Sequence, residues 1–430
     1  MTDVATANQP EIPAAGAWAA KARALDRYRW LLLRERHGLL GSALRYSRDA
    51  LLDIVFGIRA HLAMPNSRAI SESCDFLLLQ GSPKVIPLQR KKRLIETLRS
   101  RGHNLVESAH QEPRSVIAQQ LLARPLQPVP LRYFGYAAYA EWLVQRHDPR
   151  LLINDRNGSL CAPFMRLSLN QRRRLLVHLA HASTVEKSRR LGMNDYDYYL
   201  LFGKSSEEAL IRRPLRFGTS TVLLAGSHMI DSAFDLPAAS PSLKALLVLG
   251  VGPDKEKEAC YLQNYRLITE WAAEHPERRV LIKGHPRSRM VFWIQVASEQ
   301  PNIEVLPASC PLEKALEQAS IAISFMSNAV IEAGLARRPT IYVNTCREKE
   351  IFEQERFFGP AVKSAVVLQE RIQSIEQDYL RHVARAEDFA GFHLAGGVKG
   401  LERTIATLEA LACGAELPAD IERTKLAETI

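Results

Sequence analysis

Lys283-Gly-His-Pro286 places an ammonium, an imidazole and a constrained backbone next to one another. The cluster follows Arg279–Ile282, an apolar run that reads as a strand. Open α/β sheets bind ligands outside the carboxyl ends of their strands, so the position suits an anion. A neutral imidazole donates one hydrogen bond to a phosphate oxygen, and a protonated one adds charge. Pro286 fixes the backbone and would aim His285 into the crevice. Arg287 lies close enough in sequence to touch the same phosphate, while Arg289 reads as solvent-facing. The plainer alternative is a turn in which His285 satisfies nearby backbone.

Ser324-Phe-Met-Ser-Asn328 follows a second such strand, Ser320–Ile323, and opens a helix near Asn328. Hydroxyls and free backbone N–H groups at a helix N-terminus attract anions, which makes Ser324, Ser327 and Asn328 candidate phosphate ligands. Glu332 lies about one helical turn further on and suits a ribose diol. The competing reading is an ordinary N-cap at Ser327 and a solvated Glu332. Gly250-Val-Gly-Pro-Asp254 follows another strand and could approach a phosphate at Gly252, although it lacks the full G-x-G-x-x-G.

Two residues in the N-terminal half are candidate general bases, and the residues leave the choice open. Asp155 follows Leu151–Ile153 within Asn154-Asp-Arg-Asn-Gly158, and His181 follows Leu175–Leu179 within His178-Leu-Ala-His-Ala182. The alternatives are an Asx turn at Asp155 and a core or sheet-edge histidine at His181. Gln80-Gly-Ser-Pro83 with Lys84, and Gly226-Ser-His228, are further loops after strands that could line a site. Asp195-Tyr-Asp197 matches an Asp-x-Asp metal motif on paper but reads as a loop entering the strand Tyr198–Phe202.

These residues need a scaffold that brings strand ends together. From Leu246 to Val343, short β-rich runs alternate with helix-length stretches. Strands are expected at Leu246–Val251, Arg279–Ile282, Ile303–Leu306, Ser320–Ile323 and Pro339–Val343, with helices between them. That alternation implies βαβ units and a parallel sheet. The N-terminal half repeats it more loosely, at Asp75–Leu79, Asn104–Val106, Leu151–Ile153, Leu175–Leu179, Tyr198–Phe202 and Thr221–Leu224. The expected fold class is α/β, with two Rossmann-like parallel-sheet domains, a helical N-terminal extension and C-terminal helices. The expected bounds are 1–66 for the extension, 67–240 and 241–412 for the two domains, and 413–430 for a polar tail, frayed over Asp420–Ile430.

Length and composition exclude several classes. At 430 residues, two to three domains are expected. Hydrophobic residues make up 47% and charged residues 24%, enough apolar surface to exclude a disordered chain. No apolar run is long enough to span a bilayer, and residues 1–13 do not resemble a signal peptide. The six cysteines form no C-x-x-C pair, so reduced thiols in a cytoplasmic chain are expected, without structural zinc. The net charge of +10 admits phosphorylated ligands or an anionic membrane surface. No nucleic-acid motif accompanies it, and no nucleic-acid partner is expected. Ala19–Leu62 is free of proline and rich in leucine and arginine. It reads as one or two basic amphipathic helices that either lie on a membrane or pack on the domain as an extension or oligomer contact.

Lys283-x-His285-Pro286, then Ser324-x-x-Ser327 with Glu332, then Gly334 and Pro339 before a strand, resembles the donor half of GT-B glycosyltransferases. The nearest branch builds bacterial surface polysaccharides: polysialyltransferases, capsule Kdo transferases and CDP-glycerol glycerophosphotransferases. In that branch the His-Pro and Ser-rich motifs hold a cytidine nucleotide's phosphates. The resemblance implies a metal-independent transferase without a cofactor. Its donor would be a nucleotide sugar, CMP- or CDP-linked by preference. Its acceptor would be a glycan or lipid-linked glycan at the inner membrane surface. Asp155 is similar to the acidic-Gly loop of the sialyltransferase-like branch, with Arg156-Asn157 intervening before the Gly. His181 looks like the His-Gly turn of the glycerophosphotransferase branch, with Ala182 in place of Gly. Domain closure near residue 240 would exclude water. The rivals are a polyol-phosphate transferase, a nucleotide-sugar epimerase or hydrolase on the same fold, and a non-catalytic member of a glycan-assembly complex.

Overall fold

The computed structural model describes residues 10–65, 71–183, 189–230, 232–252, 255–285, 287–346 and 348–430. Pro286, singled out above, lies outside the described residues. The chain forms two compact units. The first holds the chain up to Met229 together with Gly400–Ile430, and the second runs from Ile230 to Lys399. Where the sequence suggests a domain from 241 to 412, the chain therefore crosses into the second unit earlier and returns to the first for its last helix.

The first unit is built on a seven-stranded sheet in the order β12-β6-β5-β4-β3-β1-β2. Its strands are β1 (Cys74–Gln80), β2 (Leu105–Ala109), β3 (Pro149–Asn154), β4 (Leu175–Leu179), β5 (Tyr198–Leu201) and β6 (Ser220–Leu224), all parallel, with β12 (Arg423–Leu426) antiparallel. The runs are apolar on both faces because helices cover both faces. Phe76, Leu78, Leu151, Ile153, Val177 and Leu223 are fully enclosed. Its helices are α1 (Ala17–Arg34), α2 (Leu39–Leu62), α3 (Lys92–Ser100), α4 (Pro113–Ala118), α5 (Leu131–His147), α6 (Ala162–Gln171) and α7 (Lys204–Ile211).

The second unit is a five-stranded parallel sheet in the order β11-β10-β7-β8-β9. Its strands are β7 (Ala245–Leu249), β8 (Arg279–Lys283), β9 (Ile303–Val305), β10 (Ile321–Ser324) and β11 (Thr340–Tyr342). Around it lie α8 (Ala259–Glu274), α9 (Val291–Glu299), α10 (Leu312–Glu317), α11 (Ala329–Leu335), α12 (Gln354–Phe358), α13 (Ala365–Gln377) and α14 (Tyr379–His393). Trp271, Ile268, Ile323, Leu368 and Ile372 form its core. The last helix, α15 (Gly400–Cys413), inserts Ile405, Leu408 and Leu411 into the core of the first unit. Two parallel-sheet units with helices at both termini are thus the architecture.

Two expectations need correction, and one helix was not anticipated. The tail Asp420–Ile430 does not fray: β12 pairs Arg423 with Leu223 and Leu426 with Ser220, and covers what would be an open edge. The helix α5, unmarked by any cap or amphipathic stripe, is buried on nearly every side and packs on α2. A Cβ on Gly57 of α2 would fall 1.8 Å from the Leu131 carbonyl, so the close approach of the two helices requires glycine there. Finally, not all thiols are reduced. Cys260 and Cys346 form a disulfide across 86 residues of sequence, because the start of α8 and the segment after β11 come side by side. Cys74, Cys161, Cys310 and Cys413 are free.

The helical extension divides in its packing. One face of α1 is buried through Trp18, Ala22, Leu25 and Tyr28, and Trp18 meets Phe164 of α6. Asp53 of α2 accepts from Arg29 of α1 at 2.6 Å and from Tyr136 of α5 at 2.8 Å, which ties the three helices together. The opposite face of α2 stays exposed. No helix among the described residues is long and apolar enough to cross a membrane.

Candidate active site

Both sheets change direction at an identifiable place. In the first, the chain runs from β1 to β2 on one side and then returns to β3 on the other, so β1 and β3 flank the switch point. Adjacent helices leave opposite faces there, opening a crevice at the strands' carboxyl ends. In the second sheet, β7 to β9 run one way and β10 to β11 the other, so β7 and β10 flank the switch.

Asp155 is the first residue after β3 and lies at the switch of the first sheet. Its N–H donates to Leu79 O at 3.2 Å, across to β1. Lys91, between β1 and α3, donates to Asp155 Oδ2, and both side chains are buried. Asp155 Oδ1 is buried without a hydrogen-bond partner among the described residues. Register supplies the support. Asn154 pairs with Leu79 on one side and His178 on the other. Its amide donates to His178 Nδ1 at 2.9 Å and accepts from His110 Nε2 at 2.8 Å. His178 Nε2 then donates to Asn157 Oδ1 at 2.7 Å, and its ring stacks on Tyr196. This network locks the loop that carries Asp155.

His181 follows β4 and meets the same electrostatic environment. Desolvation lowers its pKa, Asp155 opposes that shift, and Lys91 and Arg90 add to it. Its imidazole is therefore neutral at neutral pH and, among the described residues, has no hydrogen-bond partner. The structure thus brings Asp155 and His181 to neighbouring strand ends of one sheet. His228, after β6, belongs to the same group. It is 1% exposed, and neither ring nitrogen has a partner. Burial, with Lys91 and His181 nearby, pushes its pKa down to about 3. His110 is pushed down to about 4, chiefly by burial.

Sequence reasoning missed Lys91 and His110. Lys91 lies at the start of a basic run that reads as helix surface, and His110 follows the weakest strand. His228, expected as a turn or cleft residue, is instead buried, against Phe202 and within electrostatic reach of Lys91 and His181. Asp195 and Asp197 do not form a cation site. Arg166 donates to Asp195 at 2.8 Å and to Asp197 at 2.9 Å, and Lys21 reaches Asp195 at 3.0 Å. They anchor α1 and α6 to the start of β5.

In the second unit, Gly250 and Ser327 occupy the two sides of the switch. Ser327 Oγ donates to Gly250 O at 2.8 Å, joining the loops after β7 and β10. Ala329 N–H donates to Ser327 Oγ at 3.4 Å. A Cβ on Gly250 would lie 2.6 Å from both Lys283 O and His285 N, so the loops after β7 and β8 approach too closely for any side chain there. His285 Nδ1 accepts from Arg287 N–H at 3.2 Å. That bond requires the lone pair at Nδ1, so the neutral ring carries its proton on Nε2 and presents a donor. Burial and Arg287 lower the His285 pKa, which favours this neutral form.

The remaining predicted residues differ in availability. The Lys283 ammonium is mostly buried and reaches Ala308 O at 3.4 Å. Ser324 is fully buried and donates to Phe325 O at 3.3 Å. Asn328 precedes α11, is exposed and makes no side-chain cap. Gly252 faces open space. The Arg287 side chain is exposed. Glu332 is half-buried, and burial together with Glu313 raises its pKa to about 7.

The chain matches no protein-family model, and no curated protein matches it. It is similar to several solved structures. A UDP-N-acetylglucosamine 2-epimerase aligns with a TM-score of 0.46 and 10% identity, covering 81% of this chain and 98% of that one. The UDP-GlcNAc 2-epimerase from Neisseria meningitidis bound to UDP-GlcNAc aligns at 0.44 and 13%, covering 79% and 100%. The glycotransferase of kitacinnamycin aligns at 0.45 and 14%, covering 81% and 100%.

Proposed function

We propose that the protein is a GT-B-type glycosyltransferase that moves a sugar from a nucleotide donor to a bacterial surface glycan acceptor. One observation carries this reading: each sheet has a polar constellation at its own switch point, and the two differ in chemistry. The second unit offers donors suited to phosphate. The first offers groups suited to moving a proton.

In this reading the His285 Nε2–H, the Gly250 and Ser327 loops and the Lys283 ammonium hold the donor's phosphates, with Arg287 and Asn328 at the rim. Glu332 takes the ribose hydroxyls. In the first unit, the acceptor hydroxyl gives its proton to His181 or to the free Oδ1 of Asp155 as its oxygen bonds to the sugar's anomeric carbon. The bond from that carbon to the phosphate breaks, and the leaving phosphate takes the electron pair against the second unit's donors. The donor is a cytidine nucleotide by preference. The acceptor is a glycan or lipid-linked glycan at the inner membrane face.

The test is thermal stability with CMP, CDP, UMP, UDP, GDP and ADP. A ligand at about a hundred times its Kd adds roughly 2.7 kcal/mol, a shift of a few degrees. A selective cytidine shift that disappears in His285→Ala is the expected result. A uridine shift would keep the site and change the donor, and no shift with any nucleotide would overturn the reading. The histidines clustered around Asp155 also suit acid–base work on the donor sugar itself, as in an epimerase or hydrolase. Release of free nucleotide without acceptor would favour that second reading.

A further inference from the structure

A groove of about 680 Å³ lies against α2 in the first unit, within the roughly 300–1,000 Å³ usual for ligand sites. Its apolar wall is formed by Leu52, Val55, Phe56, Ile117 and Leu160. A second cavity of about 270 Å³ continues it, sharing Phe56, Pro113, Tyr136 and Leu160. That inner cavity is lined by His110, Arg156 and Asn157, the residues that bracket and support Asp155. A channel that is apolar at its outer end and polar at its inner end therefore leads from α2 to the loop carrying a candidate base.

The charges around it are unbalanced. Arg59 and Arg114 line the outer groove and Arg156 the inner one, and none of the three guanidinium groups has a hydrogen-bond or ion-pair partner among the described residues. Of the acids that line it, Asp53 is taken up by Arg29 and Tyr136, and Asp49 by Arg48. That leaves Glu112 alone against three arginines. The outer mouth opens beside an exposed apolar stripe. Leu40, Leu44, Leu51, Val55, Ile58 and Leu62 are 39–80% exposed. At 3.6 residues per turn they fall within about 60° of one another on α2. Arg45, Arg48 and Arg59 fall on one flank of that stripe. An interfacial helix combines these features, with an apolar face in the acyl region and arginines at anionic headgroups.

We propose that this groove binds an amphiphile with an apolar chain and an anionic phosphate head, drawn from a bilayer on which α2 rests. The chain lies along Leu52, Val55 and Phe56. The phosphate meets Arg59, Arg114 and Arg156, which brings the headgroup's substituent toward Asp155. The proposal rests on the transferase reading and names its acceptor class, a lipid phosphate.

The experiment measures binding of farnesyl phosphate, farnesol and inorganic phosphate to the full chain by titration calorimetry. Wild type, Leu52→Glu and Arg114→Glu are compared, and both altered side chains are exposed. The expected result is that farnesyl phosphate binds at least about tenfold more tightly than either other probe, and that each variant loses about tenfold. Equal binding of inorganic phosphate, or undiminished farnesyl phosphate binding in both variants, overturns the proposal. So does a wild-type dimer by light scattering that dissociates in Leu52→Glu, because a second copy would then cover the face. The nucleotide melting shift is read in the same samples. A groove that fails while the shift persists sinks the lipid site alone, and a lost shift with intact lipid binding sinks the transferase reading alone.

Discussion

Lys91 donates to one carboxylate oxygen of Asp155 while the other oxygen stays buried and unbonded. The two residues are 64 positions apart, and the switch between β1 and β3 is what joins them. A lysine that neutralises an aspartate without using its second oxygen leaves that oxygen without a partner among the described residues. Removing the lysine strands a buried charge, so Lys91→Met is expected to cost about 3–5 kcal/mol. Adding Asp155→Asn should recover most of it. Urea unfolding of the single and double variants checks this, and an additive double variant would refute the coupling.

His181 and Asp155 differ in how free they are. His181 is neutral and has no hydrogen-bond partner among the described residues, whereas Asp155 is already held by Lys91. His181→Gln is therefore expected to reduce kcat by about 10²–10⁴ and to abolish the acidic limb of the kcat/KM pH profile. Asp155→Asn is expected to leave that limb in place. The reverse pattern assigns the base to Asp155.

One half-buried and one buried group give opposite pH dependence. Glu332 has its folded pKa raised to about 7 from an ordinary 4.5. The folded state thus holds a proton that the unfolded state releases, and stability falls as pH rises from about 4.5 to about 7. Glu332→Gln should raise the melting temperature at pH 8 and do little at pH 4. His228 has its folded pKa depressed to about 3 from 6.5, so its contribution is lost as pH falls below 6.5. His228→Leu should flatten that acid slope. Melting curves of both variants across pH decide each case, and an unchanged profile would refute the corresponding burial argument.

Gly250 lies where the loops after β7 and β8 meet backbone to backbone. Gly250→Ala forces a methyl group against Lys283 O and His285 N, which are backbone atoms and cannot swing aside. A cost of about 1–3 kcal/mol and complete loss of the nucleotide melting shift are expected. Ser327→Ala, which removes only the hydroxyl bond to Gly250, should cost about 1 kcal/mol and weaken the shift without abolishing it. Parallel melting curves with and without nucleotide separate the two.

Much of the frame was legible from local pattern. Doubly buried parallel strands read as unbroken apolar runs, so Leu246–Val251 and Leu175–Leu179 announced themselves, as did the loops that follow them. Strand ends in such sheets are where ligands gather, which is why Asp155, His181, His285 and Ser327 could be named from position alone. The pairing of Lys91 with Asp155 was not legible, nor was the burial of His228 near Lys91 and His181, because both depend on strand order. Sequence gives strands in chain order, while the sheet places β3 beside β1 and β6 three positions further out. The return of α15 and β12 to the first unit was hidden for the same reason: a helix's apolar face says that it packs, not on which sheet. Residue type and spacing determined which groups could do chemistry, and long-range pairing decided which of them meet.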